Sequence, residues 1–137
     1  MRGLLFALAL PLSSVGAAHA QTFTTADGVK PVLELIRPQW IAIRPYEGQD
    51  LLYMTTLLTY RCGIEQIRFS YNGGDLQVWE GEPCYRDEAS PMALKMNTHV
   101  PYAVAPLDSL QTVTINLLFD DGTTMEHSYL RKDVQID

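Results

Sequence analysis

Residues 112–129 read TVTINLLFDDGTTMEHSY, and this stretch decides the fold. Apolar and polar side chains alternate from Val113 to Phe119, which is the period-two pattern of a strand with one buried face. Asp121-Gly122 then predicts a type I′ turn, because Asp and Gly tolerate the positive φ angles that such a turn requires. Thr123–Tyr129 is the expected return strand. The stretch therefore predicts an antiparallel hairpin.

A second hairpin is predicted in the middle of the chain. Within the predicted strand Ile64–Tyr71, Ile67, Phe69 and Tyr71 alternate with polar residues. Asn72-Gly73-Gly74 supplies residues that accept positive φ angles, and Leu76–Trp79 is the expected partner strand.

The region before this hairpin predicts further short strands. Val32–Ile36 and Trp40–Arg44 are the first two, and Pro45–Gly48 is the expected turn after them. Leu51–Cys62 is rich in Leu, Tyr and Thr, which favours a strand, although its apolar residues also fit helical spacing. Helix therefore remains the alternative for Leu51–Cys62.

The prolines indicate where the central strands lie. Beyond residue 20 they fall into two zones, residues 31–45 and 83–106. Proline cannot donate a hydrogen bond to a strand ladder, so central strands are expected outside these zones. Six to seven short strands with regular turns predict an all-β antiparallel sandwich of immunoglobulin-like type, with a small open barrel as the alternative.

The segment 81–106 is predicted to be one long proline-rich loop without a strand. Ser90-Pro91 could begin a single helical turn that runs to Met96, because serine caps helices and proline suits their first position. Loops of this length in compact domains are usually functional. Two interpretations stay open, a binding surface and a cover over one end of the sandwich. The candidate interaction residues are Tyr85, Arg86, Met92, Lys95, Met96, His99 and Tyr102.

Residues 1–20 have the pattern of a cleavable signal peptide. Arg2 is followed by a Leu-rich apolar run from Gly3 to Leu12, and Ala18-His19-Ala20 offers small residues at the −3 and −1 positions. The apolar run is about half of the roughly 20 residues that span a bilayer. We therefore expect cleavage before Gln21, a single domain over residues 21–137, a periplasmic or secreted location, and no stable membrane insertion afterwards.

The chain has two cysteines, Cys62 and Cys84. In an oxidising compartment two cysteines of a small domain usually pair, and closing this loop would stabilise the fold by about 3 kcal/mol. Two buried thiols or a reactive pair are the alternatives, but the Cys-x-x-Cys spacing of redox sites is absent. We expect a structural disulfide.

The charge pattern argues against two classes of partner. Ten basic and sixteen acidic residues are present, and Arg2 leaves with the signal peptide, so nine against sixteen gives the mature chain a net charge of −7. The basic residues are scattered. Binding to nucleic acid requires a basic patch, so this function and docking onto anionic lipid are disfavoured.

No constellation of catalytic residues is apparent. The mature chain has two histidines, His99 and His127, whereas a zinc site needs three or four ligands. His127 is expected on a strand face. Ser90 and Ser109 lack the Gly-x-Ser-x-Gly context of a nucleophile.

The carboxylates give no acid–base pair either. Glu80 and Glu82 flank Gly81 and are expected to share one exposed strand edge, and Asp120-Asp121-Gly122 lacks the later ligands of a calcium loop. We therefore expect no catalytic residue, no metal and no cofactor.

Three short motifs carry a resemblance to other proteins. Gly48–Tyr53 (GQDLLY), Tyr60–Gly63 (YRCG) and Tyr71–Gly73 (YNG) resemble a group of small exported proteins of alphaproteobacteria. The resemblance covers about the middle third of the chain. It implies a bacterial, exported protein and brings no activity or site residues with it.

Two functions follow as expectations. The first is a non-catalytic interaction module, a periplasmic accessory or inhibitor-like protein that binds an unknown protein partner through the 81–106 loop and an exposed Trp40 or Trp79. Interfaces favour Tyr, Trp, Met and Arg. The alternative is a small periplasmic hydrolase or ligand-binding protein with a site built from dispersed residues.

The signal peptide can be tested directly. Expression of the full chain in a bacterium should yield an exported protein whose first residue is Gln21, because the Ala18-His19-Ala20 triplet fits signal peptidase. Intact-mass spectrometry of the periplasmic fraction measures this. Ala20→Arg is expected to block cleavage, and export with an intact Met1 from the unaltered chain would contradict the prediction.

Overall fold

The structure, a computed structural model, describes Pro11 and residues 23–137, so the predicted signal peptide lies outside the described residues apart from Pro11. Within residues 23–137, seven strands form two antiparallel sheets. The strands are β1 (Ala42–Tyr46), β2 (Gln49–Tyr53), β3 (Gln66–Tyr71), β4 (Gln77–Val78), β5 (Tyr102–Pro106), β6 (Thr112–Leu118) and β7 (Thr124–Leu130). The helices are α1 (Ala26–Leu35), α2 (Thr55–Thr59) and α3 (Arg131–Val134), with 3₁₀ turns at Arg37–Gln39 and Arg61–Gly63.

One sheet has the order β1-β2-β5 and the other β4-β3-β6-β7. A single hydrophobic core takes residues from both sheets and from α1 and α2. In β6, Val113, Ile115 and Leu117 are fully buried while the residues between them are half-exposed, which confirms the predicted alternation. The chain is thus mostly β, with two antiparallel sheets and few helices. Within the described ranges, no helix is long and apolar enough to cross a membrane.

The positions of the prolines agree with the prediction that the central strands contain none. The central strands β2, β3 and β6 contain no proline, whereas Pro45 and Pro106 lie in the edge strands β1 and β5. The free edge of β1 is partly covered, because Gln135 forms a parallel bridge with Ile43 and the Ile136 N–H donates to the Ile43 carbonyl at 2.8 Å.

The predicted strand at Val32–Ile36 is wrong, since these residues belong to α1 and the turn after it. Thr25 caps this helix, its side chain accepting from the Gly28 N–H at 3.2 Å. Ala26, Val29 and Leu33 lie at helical spacing and are buried. Pro31 lies inside the helix on its exposed side, so the proline does not prevent the amphipathic face from packing.

α1 packs closely against the 3₁₀ turn that ends at Gly63. A Cβ atom at Gly63 would lie 2.4 Å from a Val29 methyl carbon and 2.8 Å from the Thr25 carbonyl oxygen. Glycine is therefore required by the close approach of α1.

Leu51–Cys62 contains both of the structures that its pattern allowed. The strand β2 ends at Tyr53, and α2 follows from Thr55 to Thr59 with Leu57 and Leu58 buried. The 3₁₀ turn then includes Cys62. The Met54 N–H donates to the Pro101 carbonyl at 2.8 Å at the point where the strand stops.

The 81–106 segment is not strand-free. Its last five residues form β5, which pairs with β2 in the register Tyr53↔Tyr102 to Gln49↔Pro106. Pro106 is tolerated because it ends an edge strand. The predicted helical turn from Ser90 to Met96 is also wrong, and only a tight turn exists there, in which the Ala93 N–H donates to the Ser90 carbonyl at 3.1 Å.

The turn types differ from the prediction in one hairpin. Between β6 and β7 only Gly122 has a positive φ angle (80°), and its N–H donates to the Phe119 carbonyl. This is a three-residue loop with a glycine bulge rather than a type I′ turn. Asn72 and Gly73, with φ angles of 51° and 76°, form their turn as predicted, and Glu47 and Gly48 form another after β1.

A buried ion pair, which the sequence did not indicate, joins β2 to α3. The Asp50 carboxylate is fully buried and accepts from both terminal nitrogens of Arg131, at 2.6 and 2.9 Å, and from the Leu110 N–H at 3.1 Å. The Arg131 guanidinium also donates to the Leu110 carbonyl at 3.0 Å. The hydrogen bonds from Arg131 and from the Leu110 N–H lower the pKa of Asp50 to about 2, although burial opposes this shift.

Removing this pair should destabilise the fold strongly. Asp50→Asn leaves the Arg131 charge buried without its partner, which typically costs about 3–5 kcal/mol. The difference from wild type should shrink as the pH falls from about 4 towards 2, because the lowered pKa makes the stabilising form disappear over that range. Urea unfolding at several pH values measures both effects.

The matched control is Asp108→Asn. Asp108 lies 3.5 Å from the same guanidinium but its side chain is 75% exposed, so less than about 1 kcal/mol should be lost. Equal losses in the two variants would contradict this account of the buried pair.

Candidate functional site

The disulfide that the sequence predicted is present. Cys62 and Cys84 are bonded, with their Cα atoms 5.0 Å apart. The bond ties the start of the long loop to the 3₁₀ turn before β3. The loop therefore leaves the sheet from a fixed point.

A buried arginine, Arg61, holds the middle of the loop. Its side chain donates to the carbonyls of Pro83 (2.8 Å), Met92 (2.9 Å) and Ala93 (2.7 Å), and to that of Leu58 in α2 (2.8 Å). Peptide carbonyls in a loop have no ladder partner and need donors when buried. Arg61 supplies them from a single side chain.

Glu82 holds the other backbone groups of the loop. Its carboxylate is buried and accepts from the Lys95 N–H (2.6 Å), the Met96 N–H (3.4 Å) and the Tyr85 hydroxyl (2.8 Å). Although burial alone would raise the pKa of Glu82, these hydrogen bonds and the charge of Arg61 lower it. The expectation that Glu82 lies on an exposed edge is therefore wrong, whereas Glu80 is exposed.

Several predicted interaction residues also make contacts that hold this loop. The Lys95 ammonium lies 3.9 Å from the centre of the Tyr85 ring and pairs with Glu88 at 2.8 Å. Arg86 donates to the Cys62 carbonyl at 2.8 Å. Met96, by contrast, is 54% exposed at the loop surface. The residues 82–96 thus form an internally bonded loop.

His99 and Tyr102, the last two predicted residues, line a groove that we call the Trp79 groove. It has a volume of about 380 Å³ and lies between the edge strands β4 and β5. The walls are formed by Phe69, Val78, Trp79, Glu80, Thr98, His99, Val100 and Tyr102.

The two tryptophans have different roles. Trp40 is fully buried and its indole N–H donates to the Leu33 carbonyl at 2.9 Å, so its predicted role as an exposed contact is wrong. Trp79 is half-buried, in edge-to-face contact with Phe69, and its indole N–H has no hydrogen-bond partner among the described residues. Gly81 allows this position, since a Cβ there would lie 1.9 Å from the indole nitrogen.

The groove offers limited chemistry. The titratable residues among its described walls are Glu80, His99 and Tyr102, and the His99 Nδ1 lies 2.9 Å from the Thr98 hydroxyl. His127 lies on β7 against the Tyr129 ring, at 4.7 Å between ring centres. Over residues 23–137 no group of three His, Cys, Asp or Glu side chains could hold a metal ion.

Comparisons with known proteins add no family to this geometry. No protein-family model, no curated protein and no solved structure matches the chain.

The hydrogen bonds that Arg61 donates to the loop can be tested by hydrogen–deuterium exchange. Arg61→Met removes every donor to the Pro83, Met92 and Ala93 carbonyls, and each buried carbonyl left without a donor costs about 1–3 kcal/mol. The amides of residues 82–96, including Lys95 and Met96, should exchange faster, while those of β6 keep their protection. Hydrogen–deuterium exchange resolves this difference.

The control is Arg68→Met in β3. It makes the same substitution at an arginine whose Nε donates to none of the described residues. The loop should then exchange at the wild-type rate. Uniformly faster exchange throughout the Arg61 variant would show a global rather than a local effect and would contradict the assignment.

Proposed function

We propose that the chain is a non-catalytic interaction module of the bacterial periplasm, an accessory or inhibitor-like protein that binds a segment of a protein partner in the Trp79 groove. The observation that carries the proposal is the internal bonding of the adjacent loop. Arg61, Glu82 and the Cys62–Cys84 disulfide hold it in one conformation. A surface ordered in advance loses less entropy on binding.

The composition of the groove supports a protein partner. Trp79, Tyr102 and Phe69 offer aromatic area with few flexible bonds. Val100, on the groove wall, is 47% exposed and adds apolar surface.

The topology supports the immunoglobulin-like class that the strand pattern predicted. β5 pairs with β2 rather than with β4, and β6 pairs with β3. The chain thus crosses between sheets in the manner of immunoglobulin-like sandwiches. The disulfide lies outside the strands instead of joining two of them, which departs from antibody domains.

The disulfide also supports the proposed location. Structural disulfides persist in oxidising compartments such as the periplasm. With both cysteines bonded, no free thiol is left among the described residues.

Site-specific photocrosslinking tests the proposal. Val100, on the groove wall and 47% exposed, and Leu35, on α1 and 80% exposed, would each be replaced by p-benzoylphenylalanine in protein exported to the native periplasm. Val100 should give a discrete protein adduct that Trp79→Ala abolishes, and Leu35 should give none. Equal adducts at both positions would contradict the groove as the contact surface.

An assay for hydrolysis tests the alternative function. Purified protein should turn over none of a panel of chromogenic esters, peptides and glycosides. Turnover that His99→Gln abolishes while the fold remains intact would overturn the proposal and assign a catalytic groove instead.

A further inference from the structure

The outer faces of the two sheets differ in chemistry. On the four-stranded sheet the centre of the outer face is polar, with hydrogen bonds across strands, and Val78, Leu118 and Leu130 are apolar residues at its margins. The Thr114 hydroxyl lies 2.8 Å from that of Ser128, and the Asn116 amide donates to Glu126 at 2.9 Å. This is the usual solvated face of an antiparallel sheet.

The outer face of the three-stranded sheet is instead apolar and aromatic. Register places Arg44 opposite Leu51 and Leu51 opposite Val104, with Tyr53 and Tyr102 paired in the next row. Leu51 is only 6% exposed although it belongs to no part of the core, so its neighbours on this outer face cover it. Arg44 is the only charged residue that the three strands place here.

A groove opens at one end of this apolar face. It has a volume of about 400 Å³, the size of a small-ligand site, and shares no wall residue with the Trp79 groove. Ile41, Ala42 and Ile136 form its apolar wall, and Tyr53, Thr55 and Thr56 bring hydroxyl groups to it.

Arg44 brings a cation to the groove, and Asp137 brings an acid to the same walls without forming an ion pair with it. Arg44 makes no ion pair within the described part of the chain, and its guanidinium lies 4.7 Å from the centre of the Tyr46 ring. The planar guanidinium presents two parallel N–H groups that match the two oxygens of a carboxylate. Stacking on Tyr46, which is not a wall residue of the groove, limits the motion of the guanidinium.

We propose that this groove, the Arg44 groove, binds an apolar carboxylate such as a medium-chain acyl or aryl acid. The carboxylate lies against the Arg44 guanidinium and the neighbouring hydroxyl groups, and the apolar body packs on Ile41, Ala42 and Ile136. Asp137 also lines the groove. The Asp137 carboxylate repels a bound anion, so replacing Asp137 tests whether the ligand carries a negative charge.

The test is a titration of the mature protein with octanoate and with octanamide, followed by amide chemical shifts in β1, β2 and α2. Octanoate should bind and shift these amides, and octanamide should bind at least about tenfold more weakly, since it lacks the charge-assisted hydrogen bonds. Arg44→Gln should weaken octanoate binding by a similar factor, with Arg44→Lys in between. Asp137→Asn should tighten binding about twofold by removing a like charge.

Arg68→Gln, on the polar face of the other sheet, is the matched control and should leave octanoate binding unchanged. A peptide that ends in leucine and binds more tightly with a free than with an amidated carboxyl group would support the same chemistry and assign it to protein C-termini. Equal binding of octanoate and octanamide, or unchanged affinity in a folded Arg44→Gln variant, would overturn the proposal.

Discussion

The rest of the structure depends on the buried ion pair between Asp50 and Arg131. Asp50 lies in β2 of one sheet, and Arg131 directly follows β7 of the other. Leu110, in the connection between β5 and β6, bonds to both side chains. One largely buried cluster thus links both sheets and the segment that crosses between them. A buried charge has few acceptable partners, so the cluster also disfavours alternative registers.

The same principle operates on a smaller scale in the long loop. Strands and helices satisfy their own backbone groups, but the residues 82–96 have no ladder. Arg61 provides the donors and Glu82 the acceptors that the buried peptide groups need. Charged side chains directed at the backbone therefore replace secondary structure here, and the loop can keep a defined shape with four prolines in the surrounding segment.

Local patterns allowed much of the fold to be predicted, and tertiary contacts explain what they missed. Alternation in β6, the Asn72-Gly73 turn and the disulfide depend on nearby residues or on simple pairing, and all three are confirmed. The helix α1 and the strand β5 were missed because both carry prolines, which tertiary packing tolerates on an exposed side or at an edge. The roles of Arg61 and Glu82 could not be foreseen, since their partners lie up to 32 positions away. Trp79 was named as a candidate contact, but its groove depends on how two sheet edges approach each other.

The bridge between Gln135 and Ile43 has a consequence for how the edge of β1 is protected. Residues 135–136 cover the open side of β1, where the Ile136 N–H donates to the Ile43 carbonyl. Displacement of these two residues would expose an unpaired strand edge, which is a template for addition of further strands. A change in one short segment would thus offer β1 to a second copy of the chain without any change in the core.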